Sequence, residues 1–201
     1  MTVSSPRYLL SMGVLDDGER VRAADAATWR AWLAENHADS KGTWLVRGRK
    51  GFAHLHIPYE DAIRQALCFG WIDGPVRVFD DETSGLWFAP RRASSGWAGT
   101  NNARVEILEA AGQLEAAGIR AIEIAKTNGT WTMLDGPEAL IEPPEFATAL
   151  DAVPEARAAW DGFPPSVRTY GLTQIASAKR PETRTARIAR IVSEAAAGRR
   201  P

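Results

Sequence analysis

The sequence is poor in cysteine and histidine, and this shortage excludes several kinds of site. One of its 201 residues is cysteine, Cys68, and three are histidine. A lone cysteine forms no disulfide within the chain, which excludes a disulfide-stabilised secreted scaffold. Zinc sites use three or four ligands at recognised spacings, whereas this chain places only His54 and His56 close together and has neither CxxC nor HExxH. We therefore predict no metal site.

The sequence also lacks long apolar runs and an excess of charge. No stretch approaches the roughly 20 apolar residues of a membrane-spanning helix. The first residues lack the charged start and continuous apolar run of a signal peptide, so we expect a cytoplasmic protein without a membrane span. The formal net charge is -1, whereas nucleic-acid binders are usually strongly basic. A general nucleic-acid partner is therefore disfavoured.

Three familiar enzyme motifs are absent as well. The sequence contains no GxSxG, no phosphate loop ending in GKS or GKT, and no GxGxxG. A serine-triad hydrolase, a P-loop enzyme and a Rossmann dehydrogenase therefore have no support, and we predict no cofactor. Cys68 lies on an apolar helix face, which favours an inert buried thiol over a nucleophile.

What the sequence does contain is an α+β pattern followed by a helical one. Strand-like runs at 19–24, 43–49, 52–57, 71–79 and 86–90 alternate with helices that start at Asp25 and Pro58. From Pro144 onward the pattern is wholly helical. The predicted fold class is α+β, with a small mixed α/β N-terminal part that has a short antiparallel-rich sheet, followed by an all-helical C-terminal part.

The proline-rich run GPEALIEPPEF suggests a boundary between these two parts. We predict an extended segment over residues 1–18, an α+β domain over 19–135 and a helical domain over 136–201 that packs on the first.

Two runs concentrate the polar and aromatic residues of a candidate site. They are ALCFGWIDG at 66–74, which contains Asp73, and RRASSGWAGTN at 91–101. Guanidinium groups offer planar forks of donors to carboxylate or phosphate oxygens, and a helix N-terminus favours an anion. The second run contributes Arg91, Arg92, Ser95, Trp97 and Asn101 as candidate ligand-binding residues. The alternative interpretation is structural: Asp73 pairs with an arginine, Ser95 or Thr100 caps the helix, and Trp97 packs in the core.

A third run, AKRPETRTARI at 178–188, is basic and helical. Its cations are Lys179, Arg180, Arg184 and Arg187. Such a run is usually a solvated helix face, and the alternatives are an anion site or a contact between domains.

The three runs, in this order, resemble the YdeI/OmpD-associated family, also described as bacteriocin-protection proteins, over about Ala24–Ala197. The resemblance implies an α+β portion followed by a helical tail with an AK...TR signature, into which Lys179, Thr183 and Arg184 fall. It implies no established enzymatic activity. It also implies a part in stress response, namely tolerance of antimicrobial peptides.

Three functions stay open on the sequence. The first is a binding or stress-response protein that recognises a small anionic ligand or a peptide. The second is an enzyme that uses Asp73 as a base or orienting group beside Arg91 and Arg92. The third is a single-stranded nucleic-acid binder in which bases stack on Trp97. We favour the first. Whether the basic run of the helical tail closes over the loop from Arg91 to Trp97 stays open on the sequence.

Overall fold

The computed structural model describes residue 15 and residues 18–52 and 57–201. Most of the predicted extended segment, and positions 53–56 of the predicted strand at 52–57, lie outside the described residues. His54 and His56 are among those positions.

The described strands form one four-stranded mixed sheet with the order β1-β2-β4-β3. They are β1 (Arg20–Arg22), β2 (Thr43–Gly48), β3 (Trp71–Val78) and β4 (Thr83–Pro90). β1 runs parallel to β2, whereas β2 and β3 both pair antiparallel with β4. The prediction of a short, antiparallel-rich sheet is therefore confirmed.

The hairpin between β3 and β4 is tighter than predicted, so β4 begins at Thr83 instead of Leu86. The Asp80 carboxylate explains this difference. It accepts hydrogen bonds from the Thr83 amide at 2.6 Å, the Thr83 hydroxyl at 2.7 Å and the Glu82 amide at 2.9 Å. These bonds close the turn within Asp80–Glu82, which frees Thr83 to join the strand.

Helices make up most of the rest of the described chain, which confirms the α+β class. Each of α6 to α9 carries a proline in its first turn, where the missing amide hydrogen has no partner to lose. The helices are α1 (Ala26–Asn36), α2 (Tyr59–Cys68), α3 (Gly99–Ala110), α4 (Ala116–Asn128), α5 (Asp135–Glu138), α6 (Pro144–Asp151), α7 (Pro154–Gly162), α8 (Pro165–Ala176) and α9 (Pro181–Ala196).

Two compact units divide the described chain. Unit 1 takes in the described residues up to Ala93 together with Arg104–Ile124, and unit 2 takes in Ser94–Ala103 and Ala125–Pro201. The boundaries at 103/104 and 124/125 fall within α3 and α4. Unit 1 thus contains the sheet, and unit 2 contains α5 to α9.

Tryptophans form the core of unit 1. Trp29 and Trp71 are almost fully buried, and Trp44 is 3% exposed, as the sequence predicts. The Trp29 indole donates to the Ala62 carbonyl at 3.1 Å and lies 5.3 Å from the Phe88 ring between centroids. Because its ring N–H has a partner, Trp29 joins α1, α2 and the sheet without leaving a buried donor unsatisfied.

Unit 2 has a core of its own around Trp160. Its indole meets the Phe146 ring edge-on at 4.9 Å between centroids and donates to a Glu142 carboxylate oxygen at 2.8 Å. Arg157 forms an ion pair with the same carboxylate at 3.0 Å. The buried apolar cluster around these groups extends through α8 and α9 as far as Ala195.

Candidate functional site

A tyrosine and an aspartate form the centre of a polar cluster in unit 1. Tyr59 is the first residue of α2, where Pro58 precedes the helix, and Asp73 lies in β3 opposite Phe88 of β4. The Tyr59 hydroxyl donates to Asp73 Oδ2 at 3.0 Å. Burial and the Asp73 carboxylate raise the pKa of Tyr59 above its ordinary value. The hydroxyl therefore keeps its proton at neutral pH.

Two guanidinium groups lie over the Tyr59 ring. The guanidinium carbon of Arg47, from β2, is 5.9 Å from the ring centroid, and that of Arg104, from α3, is 6.0 Å away. These distances are at the outer limit of cation–π attraction. Arg47 Nε is shielded from solvent and has no hydrogen-bond partner in the part of the chain that the structure describes. This buried donor therefore meets no acceptor among the described residues.

Glu60 holds Arg104 in position. The Arg104 guanidinium donates to Glu60 through Nη2 at 2.8 Å and through Nε at 3.1 Å, and Arg64 donates to the same carboxylate at 2.9 Å. The hydrogen bond from Arg104 is the main cause that lowers the pKa of Glu60. Such two-point contacts fix the plane of a guanidinium group as well as its charge.

Arg91 adds a third guanidinium group, directly after β4. Its backbone amide donates to the Gly70 carbonyl at 2.9 Å, which anchors the residue beside the end of α2. Burial lowers the pKa of Arg91 to about 10, and the Asp73 carboxylate acts in the opposite direction. Arg91 is thus still charged at neutral pH, and a nearby anion offsets the cost of burying its charge. We call Arg47, Tyr59, Asp73, Arg91 and Arg104 the arginine cluster.

Trp97 is a buried residue of unit 2. It is 2% exposed, and its ring lies 4.9 Å from that of Trp131. Its backbone amide donates to the Thr130 carbonyl at 3.1 Å. In these contacts Trp97 packs against its neighbours, which is one of the two roles that the sequence left open. The other role is contact with a ligand.

The N-terminus of α3, where the sequence suggested an anion cradle, already holds a carboxylate of the chain itself. Glu138 Oε2, from α5, accepts a hydrogen bond from the Gly99 amide at 3.0 Å. The Asn102 side chain donates to the Trp131 carbonyl at 3.1 Å, and the Asn101 amide donates to the Ala98 carbonyl at 2.8 Å. Ser95 is half-buried in the preceding loop. The preference of a helix N-terminus for negative charge is therefore met by Glu138.

The basic run at 178–188 connects three helices of unit 2. Arg184 Nε donates to Glu145 of α6 at 2.6 Å, and its Nη1 donates to the Ile175 carbonyl at 3.2 Å. Arg187 donates to the Gln174 carbonyl and to the Ser177 hydroxyl. Both arginines thus satisfy carbonyl groups at the C-terminal end of α8, where cations are favoured. This part of the run has a structural role.

The predicted site residues are divided between the two units. Asp73, Arg91 and the exposed Arg92 belong to unit 1. The remaining residues belong to unit 2, namely Ser95, Trp97, Asn101, Arg184 and the exposed Lys179 and Thr183. The question whether the tail closes over the loop from Arg91 to Trp97 stays open.

Three members of the arginine cluster were missed by sequence reasoning: Arg47, Tyr59 and Arg104. One signal was available, because Arg47 directly follows the apolar run Trp44, Leu45 and Val46 in a predicted strand. A cation in such a strand indicates a buried or half-buried partner. Tyr59 and Arg104 offered no comparable signal, since aromatic and charged residues are ordinary at the start and on the exposed face of a helix.

Two family models match the chain. Residues 21–121, half of the chain, match "Domain of unknown function (DUF8412)", and residues 139–198 match "Bacteriocin-protection, YdeI or OmpD-Associated". The chain belongs to the DUF8412 family and carries a YdeI/OmpD-associated domain. No curated protein and no solved structure matches the chain.

These matches also shorten the span over which the chain resembles the YdeI/OmpD-associated family. The run AKRPETRTARI lies inside the YdeI/OmpD-associated domain, whereas ALCFGWIDG and RRASSGWAGTN lie inside the DUF8412 match. The YdeI/OmpD-associated match therefore covers 139–198 and not the whole span from Ala24 to Ala197. The arginine cluster lies entirely in the DUF8412 part.

None of the described helices is long and apolar enough to cross a membrane. No three of the described histidine, cysteine, aspartate or glutamate side chains lie close enough together to hold a metal ion.

Proposed function

We propose that the arginine cluster binds a small ligand that carries a carboxylate or phosphate group, and that the chain is a binding protein. The observation that carries this proposal is the convergence of three guanidinium groups on one tyrosine–aspartate pair. Arg47 and Arg104 lie over the Tyr59 ring, and Arg91 is influenced by Asp73.

The balance of charge around Tyr59 supports an anionic ligand. Among the described residues that these contacts connect, four are arginines, with Arg64 included, and two are carboxylates, Asp73 and Glu60. An excess of positive charge in a half-buried region attracts an anion. An anion that receives hydrogen bonds from these guanidinium groups gains charge-assisted hydrogen bonds.

The Tyr59–Asp73 hydrogen bond gives the cluster a fixed polar wall. Asp73 accepts from Tyr59 and at the same time favours the charged form of Arg91. Fixed polar groups of this kind orient a ligand instead of supplying the main part of its binding energy. In the proposed complex, the arginines provide affinity and the Tyr59–Asp73 pair provides orientation.

The test is a thermal-shift screen of the wild type against inorganic phosphate, acetate, succinate, a nucleoside monophosphate and a short RNA. A ligand at about 100 times its dissociation constant stabilises the folded state by about 2.7 kcal/mol, which such a screen detects. We expect an anion to raise the melting temperature of the wild type, and we expect Arg91→Ala and Arg47→Ala to lose the effect.

The matched control is Arg120→Ala, which removes an exposed arginine of α4 in unit 1 that lies outside the cluster. It should respond to the ligand as the wild type does. An anion response that survives in both Arg47→Ala and Arg91→Ala would place the site elsewhere. A response to RNA alone, falling steeply between low and moderate salt, would favour the nucleic-acid function instead.

We further propose that the protein takes part in tolerance of antimicrobial peptides. The support is the YdeI/OmpD-associated domain at 139–198, whose description names bacteriocin protection. The test compares survival of a bacterial host with and without the gene during exposure to a cationic peptide, with the gene supplied as the wild type and as Arg91→Ala. Equal survival of all strains would remove this proposal and leave the ligand site to be judged by binding alone.

A further inference from the structure

The surface of unit 2 carries an apolar groove between α6 and α9. The groove has a volume of about 540 Å³. Its floor is formed by Ile188 and Val192, which are 7% and 8% exposed, and the other side is formed by Ala149 of α6 and by Val153, which precedes α7. None of the described residues of unit 2 fills it. A groove with an aliphatic floor beside a long helix fits another helix laid along it.

The rim of the groove on α9 consists of small exposed residues. Thr185, Ala189, Ser193 and Ala196 follow one another at intervals of three or four residues, which places them along one face of the helix. Each is exposed, whereas Ile188 and Val192 beside them are nearly buried. Along this face, small exposed residues therefore lie beside larger residues that are nearly buried.

We propose that the groove is the contact surface for a second copy of this chain, with the two α9 helices antiparallel. In a two-fold contact each residue pair occurs twice, so the surface must be complementary to itself. The register that pairs position 188 with position 193 meets this requirement. It sets Ser193 of one copy over Ile188 of the other and Ala189 over Val192, so that small residues lie on large ones at the centre of the contact, and it sets Thr185 opposite Ala196 on either side.

The same register matches opposite charges at the ends of the contact. It places Glu182, in the first turn of α9, beside Arg199 of the second copy, which follows the helix. Arg199 is held at that end because Gly198 has a φ of 67° and the Arg199 amide donates to the Glu194 carbonyl at 2.8 Å. Glu182 and Arg199 are both exposed, so a second copy meets them as ions at the rim of the interface.

The size of the surface sets the strength of the expected dimer. The face from Glu182 to Ala196 is about 21 Å long at 1.5 Å per residue. One pair of helices of this length buries an area at the low end of specific interfaces. The monomer and dimer should therefore exchange, with the dimer favoured at high protein concentration.

The experiment measures the mass of the full chain by sedimentation equilibrium from micromolar to millimolar concentration. We expect the wild type to form dimers and Ala189→Glu to weaken them by at least about tenfold, because the change sets a charge on the apolar floor of the partner. The matched control is Ala186→Glu, which makes the same substitution at an exposed residue of α9 that does not line the groove. It should dimerise as the wild type does.

A charge exchange tests the antiparallel register itself. Glu182→Arg and Arg199→Glu should each weaken the dimer by about three- to tenfold, since each leaves like charges at both ends of the contact. The double variant restores opposite charges and should recover most of the affinity. A wild type that stays monomeric throughout, or a dimer that Ala189→Glu leaves intact, would overturn the proposal. Neither result bears on the arginine cluster, because no cluster residue is changed.

Discussion

Trp71 shows how a single residue of the DUF8412 part contributes to stability. It is 1% exposed, packs edge-on against Trp32 at 5.9 Å between centroids, and donates to the His37 carbonyl at 3.3 Å. We predict that Trp71→Ala lowers the free energy of unfolding by about 3–5 kcal/mol, because it leaves a large cavity. Urea unfolding followed by circular dichroism measures this. Val76→Ala, in the same strand but 65% exposed, should change stability by no more than about 0.5 kcal/mol.

Substitution of Asp73 tests the proposed anion binding, because the proposal predicts whether the affinity for phosphate rises or falls. In Asp73→Asn, the amide oxygen still accepts the hydrogen bond from Tyr59, but the negative charge beside Arg91 is gone. We therefore predict that phosphate binds about three- to tenfold more tightly to Asp73→Asn than to the wild type, as measured by isothermal titration calorimetry.

The control for this change is Asp81→Asn, which neutralises an exposed aspartate in the turn between β3 and β4. Its affinity for phosphate should equal that of the wild type. Weaker binding by Asp73→Asn would mean that the carboxylate itself contacts the ligand. Loss of a chemical turnover in that variant, with the fold intact, would support the enzymatic alternative.

At the scale of elements, the basic run of the YdeI/OmpD-associated domain stabilises the C-terminal end of α8. Arg187 bonds the Gln174 carbonyl and the Ser177 hydroxyl, so its loss leaves the C-terminal end of α8 without these partners. We predict that Arg187→Ala lowers the free energy of unfolding by about 1–2 kcal/mol. It should also speed hydrogen exchange at the amides of residues 176–178.

Arg180→Ala is the matched comparison, because Arg180 belongs to the same run but is exposed. Its unfolding free energy should stay within about 0.5 kcal/mol of the wild type. Equal effects of the two substitutions would show that general charge, and not the contact with α8, accounts for the role of the run.

At the scale of the whole molecule, unit 2 offers a test of independent folding. Its buried cluster, from Phe146 to Ala195, lies entirely within the predicted helical domain at 136–201. We predict that a fragment of residues 136–201 is helical and unfolds cooperatively with temperature, because it retains this core. Circular dichroism measures both properties, and Trp160→Ala in the fragment should abolish the cooperative transition. A gradual, non-cooperative melt of the unaltered fragment would mean that residues 94–103 and 125–135 are needed for folding.

Local patterns in the sequence were enough for the class of fold and for several of its details. The side chain of Asp25 caps α1 by accepting from the Thr28 amide at 2.8 Å, and Pro58 precedes α2, both as predicted. Helical and strand periods, caps and proline positions act between residues a few positions apart, and these signals are therefore visible in the chain itself.

The composition of the site was decided by tertiary structure. Glu60 and Arg104 are 44 residues apart in sequence, and Gly99 and Glu138 are 39 apart, so no local period relates them. The sequence by itself determined the α+β class, the burial of Trp29, Trp44 and Trp71, and Asp73 and Arg91 as candidates. Only the fold decided that Arg47 and Arg104 lie over Tyr59 and that a carboxylate of the chain occupies the N-terminus of α3. The physical reason is that such contacts depend on how strands and helices pack, and packing is settled by the sum of many distant interactions.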